Sequence, residues 1–141
     1  MTDPASSGLR ALASLRVAEV MHWGLVSCPA DAPLDIVAAL MSAERIHCVV
    51  VAHNSDAGAL WGVVSDLDLV AAASVRPLAE QRAGSTAMRP AVTIAPSASL
   101  DVAARLMTRA GVSHLVVVDA VERRPVGILS TLDLTAALSA A

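Results

Sequence analysis

A chain of 141 residues that is 55% hydrophobic, with a net charge of -3, has apolar surface for one compact domain or two small fused ones, which excludes a disordered chain. A pI of about 5.7 leaves no polybasic surface for a membrane patch or for gripping DNA by counterion release. All ten basic residues are arginine, which excludes Schiff-base chemistry and the Gly-Lys-Ser/Thr phosphate loop, and with Trp23 and Trp61 as the only aromatics no platform can be built for single-stranded nucleic acid.

The N-terminal stretch holds Asp3, Pro4, Arg10 and Arg16 without the continuous apolar centre of a signal peptide. Leu9, Leu12 and Arg16 are at helical spacing and predict a short packing helix within residues 9–17. A first strand is expected at residues 25–28, stopping at Pro29, which cannot continue a ladder. Leu34, Val37, Leu40 and Met41 recur every three or four residues and predict a helix, with Asp35 placed in its first turn to complement the dipole. The aliphatic run 49–52 predicts an interior strand covered on both faces. His53, Asn54, Ser55 and Asp56 form a polar turn into a third strand around 61–64, and a last helix opens at Ser65. Residues 74–85, containing Pro77 and Gly84, predict a linker. The longest apolar stretch, 57–64, is far below the ~20 residues that cross a bilayer.

The pattern then repeats. Val26, Ser27 and Cys28, with Leu34, Asp35, Leu40 and Met41, align with Val92, Thr93 and Ile94, with Leu100, Asp101, Leu106 and Met107, at an offset of 66. Val49, Val50 and Val51 match Leu115, Val116 and Val117 at the same offset, whereas Gly62 matches Gly127 at 65 and Met21 matches Met88 at 67, so insertions fall in loops. The second copy therefore predicts strands at 91–94, 115–118 and 125–129 around a helix starting near Leu100, and a last helix from Ser130. The expected fold is α/β, two β-α-β-β-α repeats packed with pseudo-twofold symmetry, since a copy of about 60 residues is marginal alone. The segments are an N-terminal extension 1–16, a first repeat 17–73, a linker 74–85 and a second repeat 86–141.

The sequence Gly62-Val63-Val64-Ser65-Asp66-Leu67-Asp68, echoed as Gly127-Ile128-Leu129-Ser130-Thr131-Leu132-Asp133, admits two readings. Each serine is a helix N-cap with the aspartate three residues on closing a capping box, which needs no ligand. Alternatively the helix start and hydroxyl take a phosphate while the aspartate accepts from a ribose diol. The two readings are compatible.

Taken together, Val17 to Met21 (Val-Ala-Glu-Val-Met), Val92-Thr93-Ile94-Ala95-Pro96, the stretch Gly111-Val112-Ser113-His114 leading to Asp119, and the paired glycine-to-aspartate motifs resemble a tandem pair of CBS domains, a Bateman module, over residues 17–137. The resemblance implies an adenosine-containing ligand, AMP, ADP, ATP or S-adenosylmethionine, in clefts between the repeats, with no required cofactor and with regulation of a partner. Carried over, it implies that Thr93 and Ile94 offer backbone groups to adenine, that Ser130 and Asp133 take phosphate and ribose, and that His114 lies beside them. In the first copy the equivalents are Ser27, Cys28, Ser65 and Asp68, and Cys48 in place of His114 removes a polar donor. Val50 and Val116 replace a proline common in the family, and His53 stands where the second copy has Asp119. Without lysine, a triphosphate would depend on Arg45, Arg89 or Arg109, which favours AMP-like ligands.

The Cys and His spacings, which involve Cys28, Cys48, His22, His47 and His53, match no zinc pattern, so no metal is expected. Without a Gly-x-Ser-x-Gly elbow, no hydrolase and no catalytic residues are expected. Met21, Met41, Met88 and Met107 read as core gap-fillers, with Met21 and Met88 as an alternative partner-binding surface, and Trp23 or Trp61 as an anchor for a homodimer. The expected protein is a stand-alone cytoplasmic sensor, with reduced cysteines, acting on a separate protein and touching neither nucleic acid nor membrane. The alternative is a structural or interaction module whose clefts stay empty.

Overall fold

The computed structural model describes residues 4–140, so the extreme ends of the first and last expected segments, 1–3 and 141, lie outside the described residues. Two compact units emerge, one built from the chain up to Gly24 together with the residues from Val92 onwards, the other from Leu25–Ala91. They divide the chain at different points from the sequence repeats, because the segment ahead of each repeat joins the unit formed by the other.

In the first unit α1 (Pro4–Ala13) and α2 (Val17–Val20) precede a two-residue strand β1 (His22–Trp23). The second repeat supplies β5 (Thr93–Ile94), α6 (Leu100–Ala110), β6 (His114–Val118), β7 (Pro125–Ser130) and α7 (Thr131–Ser139). Its mixed sheet runs β1-β7-β6-β5, with β5 parallel to β6 and the other pairs antiparallel. Leu100, Ala103 and Met107 form the buried stripe of α6, which packs with Leu115, Val117, Leu129 and Leu134. The predicted N-terminal helix is present but begins and ends earlier than expected, leaving Arg16 outside it in extended conformation, and it sinks Leu12 into this core.

In the second unit β2 (Ser27–Pro29), α3 (Leu34–Glu44), β3 (Cys48–His53), β4 (Asp56–Ser65) and α4 (Asp66–Ala73) follow the predicted order. The sheet order is β2-β3-β4, β2 parallel and β4 antiparallel to the central β3, whose buried positions bear out an interior strand. Two expectations need correction. Pro29 ends the first strand from inside it, opposite Ala52, which an edge strand tolerates because the missing N–H needs no second neighbour. The stretch 74–85 is structured as well: a single 3-10 turn at Leu78–Glu80 leads into α5 (Ala83–Thr86), and Ala83 is fully buried in the core with Leu34, Val37, Met41, Val49 and Val51.

Two glycines allow the leading segments to dock. A methyl group on Gly127 would overlap the His22 carbonyl oxygen and Met21 Cε, and one on Gly62 would lie 2.6 Å from the Met88 carbonyl oxygen. Met88 exchanges backbone hydrogen bonds with Val63, just as β1 pairs with β7. Gly127→Ala is therefore expected to lower stability by about 1–3 kcal/mol through overpacking. The check is the urea unfolding midpoint; an unchanged midpoint would mean that β1 is not held against β7.

Candidate functional site

Strands β4 and β7 each end on a serine that starts a helix, and both serines are N-caps in extended conformation. In the second unit Ser65 Oγ accepts from the Asp68 N–H at 3.2 Å, and Asp68 Oδ2 accepts from the Ser65 N–H at 2.9 Å. In the first unit Ser130 Oγ accepts from the Asp133 N–H at 3.3 Å, while Asp133 Oδ2 accepts from the Ser130 N–H at 2.8 Å and from its hydroxyl at 3.1 Å. Both capping boxes are therefore formed, as the spacing predicts, satisfying backbone donors that the helix start leaves unpaired. Each box uses only one carboxylate oxygen.

What meets the second oxygen differs between the units. His22 Nε2 is 3.1 Å from Asp133 Oδ1; the aspartate side chain is 10% exposed and that of the histidine 76%. Among the described residues, Asp68 Oδ1 has no hydrogen-bond or ion-pair partner. The position equivalent to His22 there is Met88, which stands opposite Val63 as His22 stands opposite Ile128, one residue off the sequence match of Met21 with Met88, and whose thioether has no N–H to offer. Arg89, next along, has its guanidinium carbon 3.6 Å from the Trp61 ring centroid and its Nε donating to the Trp61 carbonyl at 3.2 Å. From the sequence His22 is weighed only as a zinc ligand and not as a neighbour of Asp133.

The remaining candidates distribute unevenly. His114 faces Ser130 directly across β6 and β7, with Nδ1 at 3.0 Å from Ser113 Oγ. Thr93 is exposed on β5 opposite Val116, whereas Ile94 is buried in the core, so only its backbone remains for a ligand. In the second unit Ser27 is exposed, Cys28 is a core residue, and Cys48 pairs with Ser65. Of the tryptophans, Trp61 is half-buried against its own core, donating from Nε1 to the Gly84 carbonyl at 3.0 Å, with the His53 ring packed edge-on at 5.0 Å. It is thus an internal anchor for α5. Trp23 stays 61% exposed. Met21, Met41 and Met107 are core residues, and Met88 is at the surface.

Both cysteines are free thiols. Burial pushes Cys28 up from 9.0 to about 11. Burial, and then the negative charges of Asp68 and Asp66, push Cys48 up to about 12. The folded state thus holds these protons more tightly than the unfolded one, so the contribution is fully present below pH 9 and is lost as pH rises through 11 to 12. Unfolding free energy is expected to fall above pH 9, and the fall to shrink in Cys48→Ala; an equally steep fall in that variant would remove Cys48 as its source. Among the described residues no cluster of side chains suits a metal ion, and no helix is long and apolar enough to cross a membrane.

No curated protein matches the sequence. Among solved structures, a CBS domain protein from Pyrobaculum aerophilum complexed with AMP is 26% identical, with a TM-score of 0.79 over 90% of this chain and 100% of that one. The CBS domain pair of protein MJ0100, in complex with 5'-methylthioadenosine and S-adenosyl-L-methionine, is 18% identical at a TM-score of 0.79, covering 89% of this chain and 97% of that one. The CBS domain of the bacterial CNNM/CorC family Mg2+ transporter in complex with ATP is 18% identical at a TM-score of 0.79, covering 97% of this chain and 98% of that one. The sequence profile of the CBS domain itself matches twice, over residues 17–75 and 83–140, one match for each repeat. With both repeats matched and the mixed α/β fold shared, the chain belongs to the CBS domain family as a tandem pair.

Proposed function

We propose that this chain is a regulatory sensor that binds an adenosine-containing ligand, AMP-like foremost, and modulates a separate partner protein. The observation that carries the reading is the pair of Ser–Asp boxes, each with a helix N-terminus suited to a phosphate and a carboxylate oxygen beyond the one used in capping. The AMP complex of the 26% identical Pyrobaculum protein supports the choice of ligand. Thr93, the Ile94 backbone and His114 serve the first unit's site, and Ser27 and the Cys28 backbone that of the second. ADP, ATP and S-adenosylmethionine are the competing ligands, and the lack of lysine weighs against triphosphates.

The output is a population shift. A ligand moves the partner-competent form only by its differential affinity for the two arrangements, so no chemistry is required of the chain. The buried, reduced thiols suit the cytoplasm. A homodimer is favoured by apolar side chains exposed at equivalent positions in both repeats, Leu67 with Leu132 and Ile36 with Val102. Mass spectrometry of small molecules released from natively purified protein tests the ligand: an adenosine compound is expected, and a compound without adenosine would displace the reading.

A further inference from the structure

We propose that His22 is an internal competitor for the ribose at Asp133, so that the two repeats offer sugar sites of unequal affinity. The inference rests on the reading of Asp68 and Asp133 as ribose acceptors. In both boxes the Oδ2 oxygen accepts from the serine at the helix start, at 2.9 Å in one unit and 2.8 Å in the other. At Asp133 it accepts from the Ser130 hydroxyl as well, which fills both of its lone pairs and leaves Oδ1 for a ribose hydroxyl. At Asp133 that oxygen already has His22 Nε2 at 3.1 Å, and a carboxylate 10% exposed has little room for a second group.

The histidine is built to leave. Its backbone is fixed by the pairing of His22 with Ile128 on β7, while its side chain is 76% exposed, so the imidazole can turn into water without moving β1. A ribose at Asp133 must displace it, and the lost contact is subtracted from the affinity. The second unit has no such brake. Met88 stands opposite Val63 as His22 stands opposite Ile128, and its thioether has no N–H to offer a carboxylate. Asp68 Oδ1 thus stays open among the described residues, while Asp133 Oδ1 is occupied.

The test is calorimetric titration of the full chain with AMP in an Asp68→Ala background, which leaves the Asp133 site alone. Asp68→Ala/His22→Ala is expected to bind AMP about two- to fivefold tighter than Asp68→Ala, the range an exposed ion pair contributes. Equal or weaker binding in the double variant would overturn the inference, weaker binding marking His22 as a ligand contact instead. The ribose reading would survive that result as long as Asp133→Ala weakens AMP binding to the otherwise unaltered chain. If AMP binding is indifferent to Asp133→Ala and to Asp68→Ala alike, the ribose reading falls and takes the competitor role with it.

Discussion

Leu129→Ala is expected to cost about 2–5 kcal/mol, the range for truncating a large side chain in a core that relaxes only partly. Leu129 is fully buried in the first unit's core, directly opposite Leu115, itself fully buried, and it precedes the Ser130 cap by one residue. Against a typical total of about 5–15 kcal/mol, such a loss brings the fold close to its limit. The effect reaches the candidate site as well, because a cavity at Leu129 loosens the strand end that aims Ser130 at α7. Urea unfolding should show a lower midpoint with an unchanged slope. A loss below about 1 kcal/mol would mean that the surroundings collapse into the space far better than a packed core does.

The second large effect separates structure from binding at the same side chains. Asp133→Ala and Asp68→Ala each remove one half of a capping box, and each is expected to cost about 0.5–2 kcal/mol without ligand, as lost caps do. AMP at about 100 times its dissociation constant should stabilise the unaltered protein by about 2.7 kcal/mol for each occupied site. The double variant should lose that gain completely in addition to its capping loss. Thermal melts with and without AMP read both quantities. A double variant still stabilised in full by AMP would confine the two carboxylates to capping.

Much of the fold was legible because the chain states it twice. A helix whose stripe Leu34, Val37, Met41 recurs as Leu100, Ala103, Met107 is hard to misread, and both stripes are buried as their spacing requires. The serine-to-aspartate spacing likewise predicted capping boxes that both units form. What escaped was tertiary. A two-residue strand such as β1 has no periodicity to show, and its pairing with β7 joins residues more than a hundred positions apart. The glycines of the repeated motif were the available clue, since glycine inside a strand marks close backbone approach, and Gly62 and Gly127 are the points where Met88 and His22 come near. The stretch 74–85 reads as a linker from Pro77 and Gly84, yet Ala83 is small enough to vanish into the core, and a small apolar residue in a polar stretch carries little signal. The His22–Asp133 pair was invisible for the same reason as β1: nothing local distinguishes a histidine that will meet a carboxylate from one that faces water.

The candidate site was legible in part. Ser130, Asp133 and His114 are brought together at the junction of β6, β7 and α7, whereas Ile94 and Cys28 turn their side chains into their cores. Parity decides this. Thr93 and Ser27 are exposed and their neighbours buried, because successive residues of a strand alternate faces.

The most direct measurement is calorimetric titration of the purified full chain with AMP, set beside a guanine nucleotide of the same phosphate count. Saturable heat with AMP and a much weaker response to the guanine nucleotide is the predicted result. Absence of binding to AMP, ADP, ATP and S-adenosylmethionine alike would contradict the account and leave the two Ser–Asp boxes as helix caps alone.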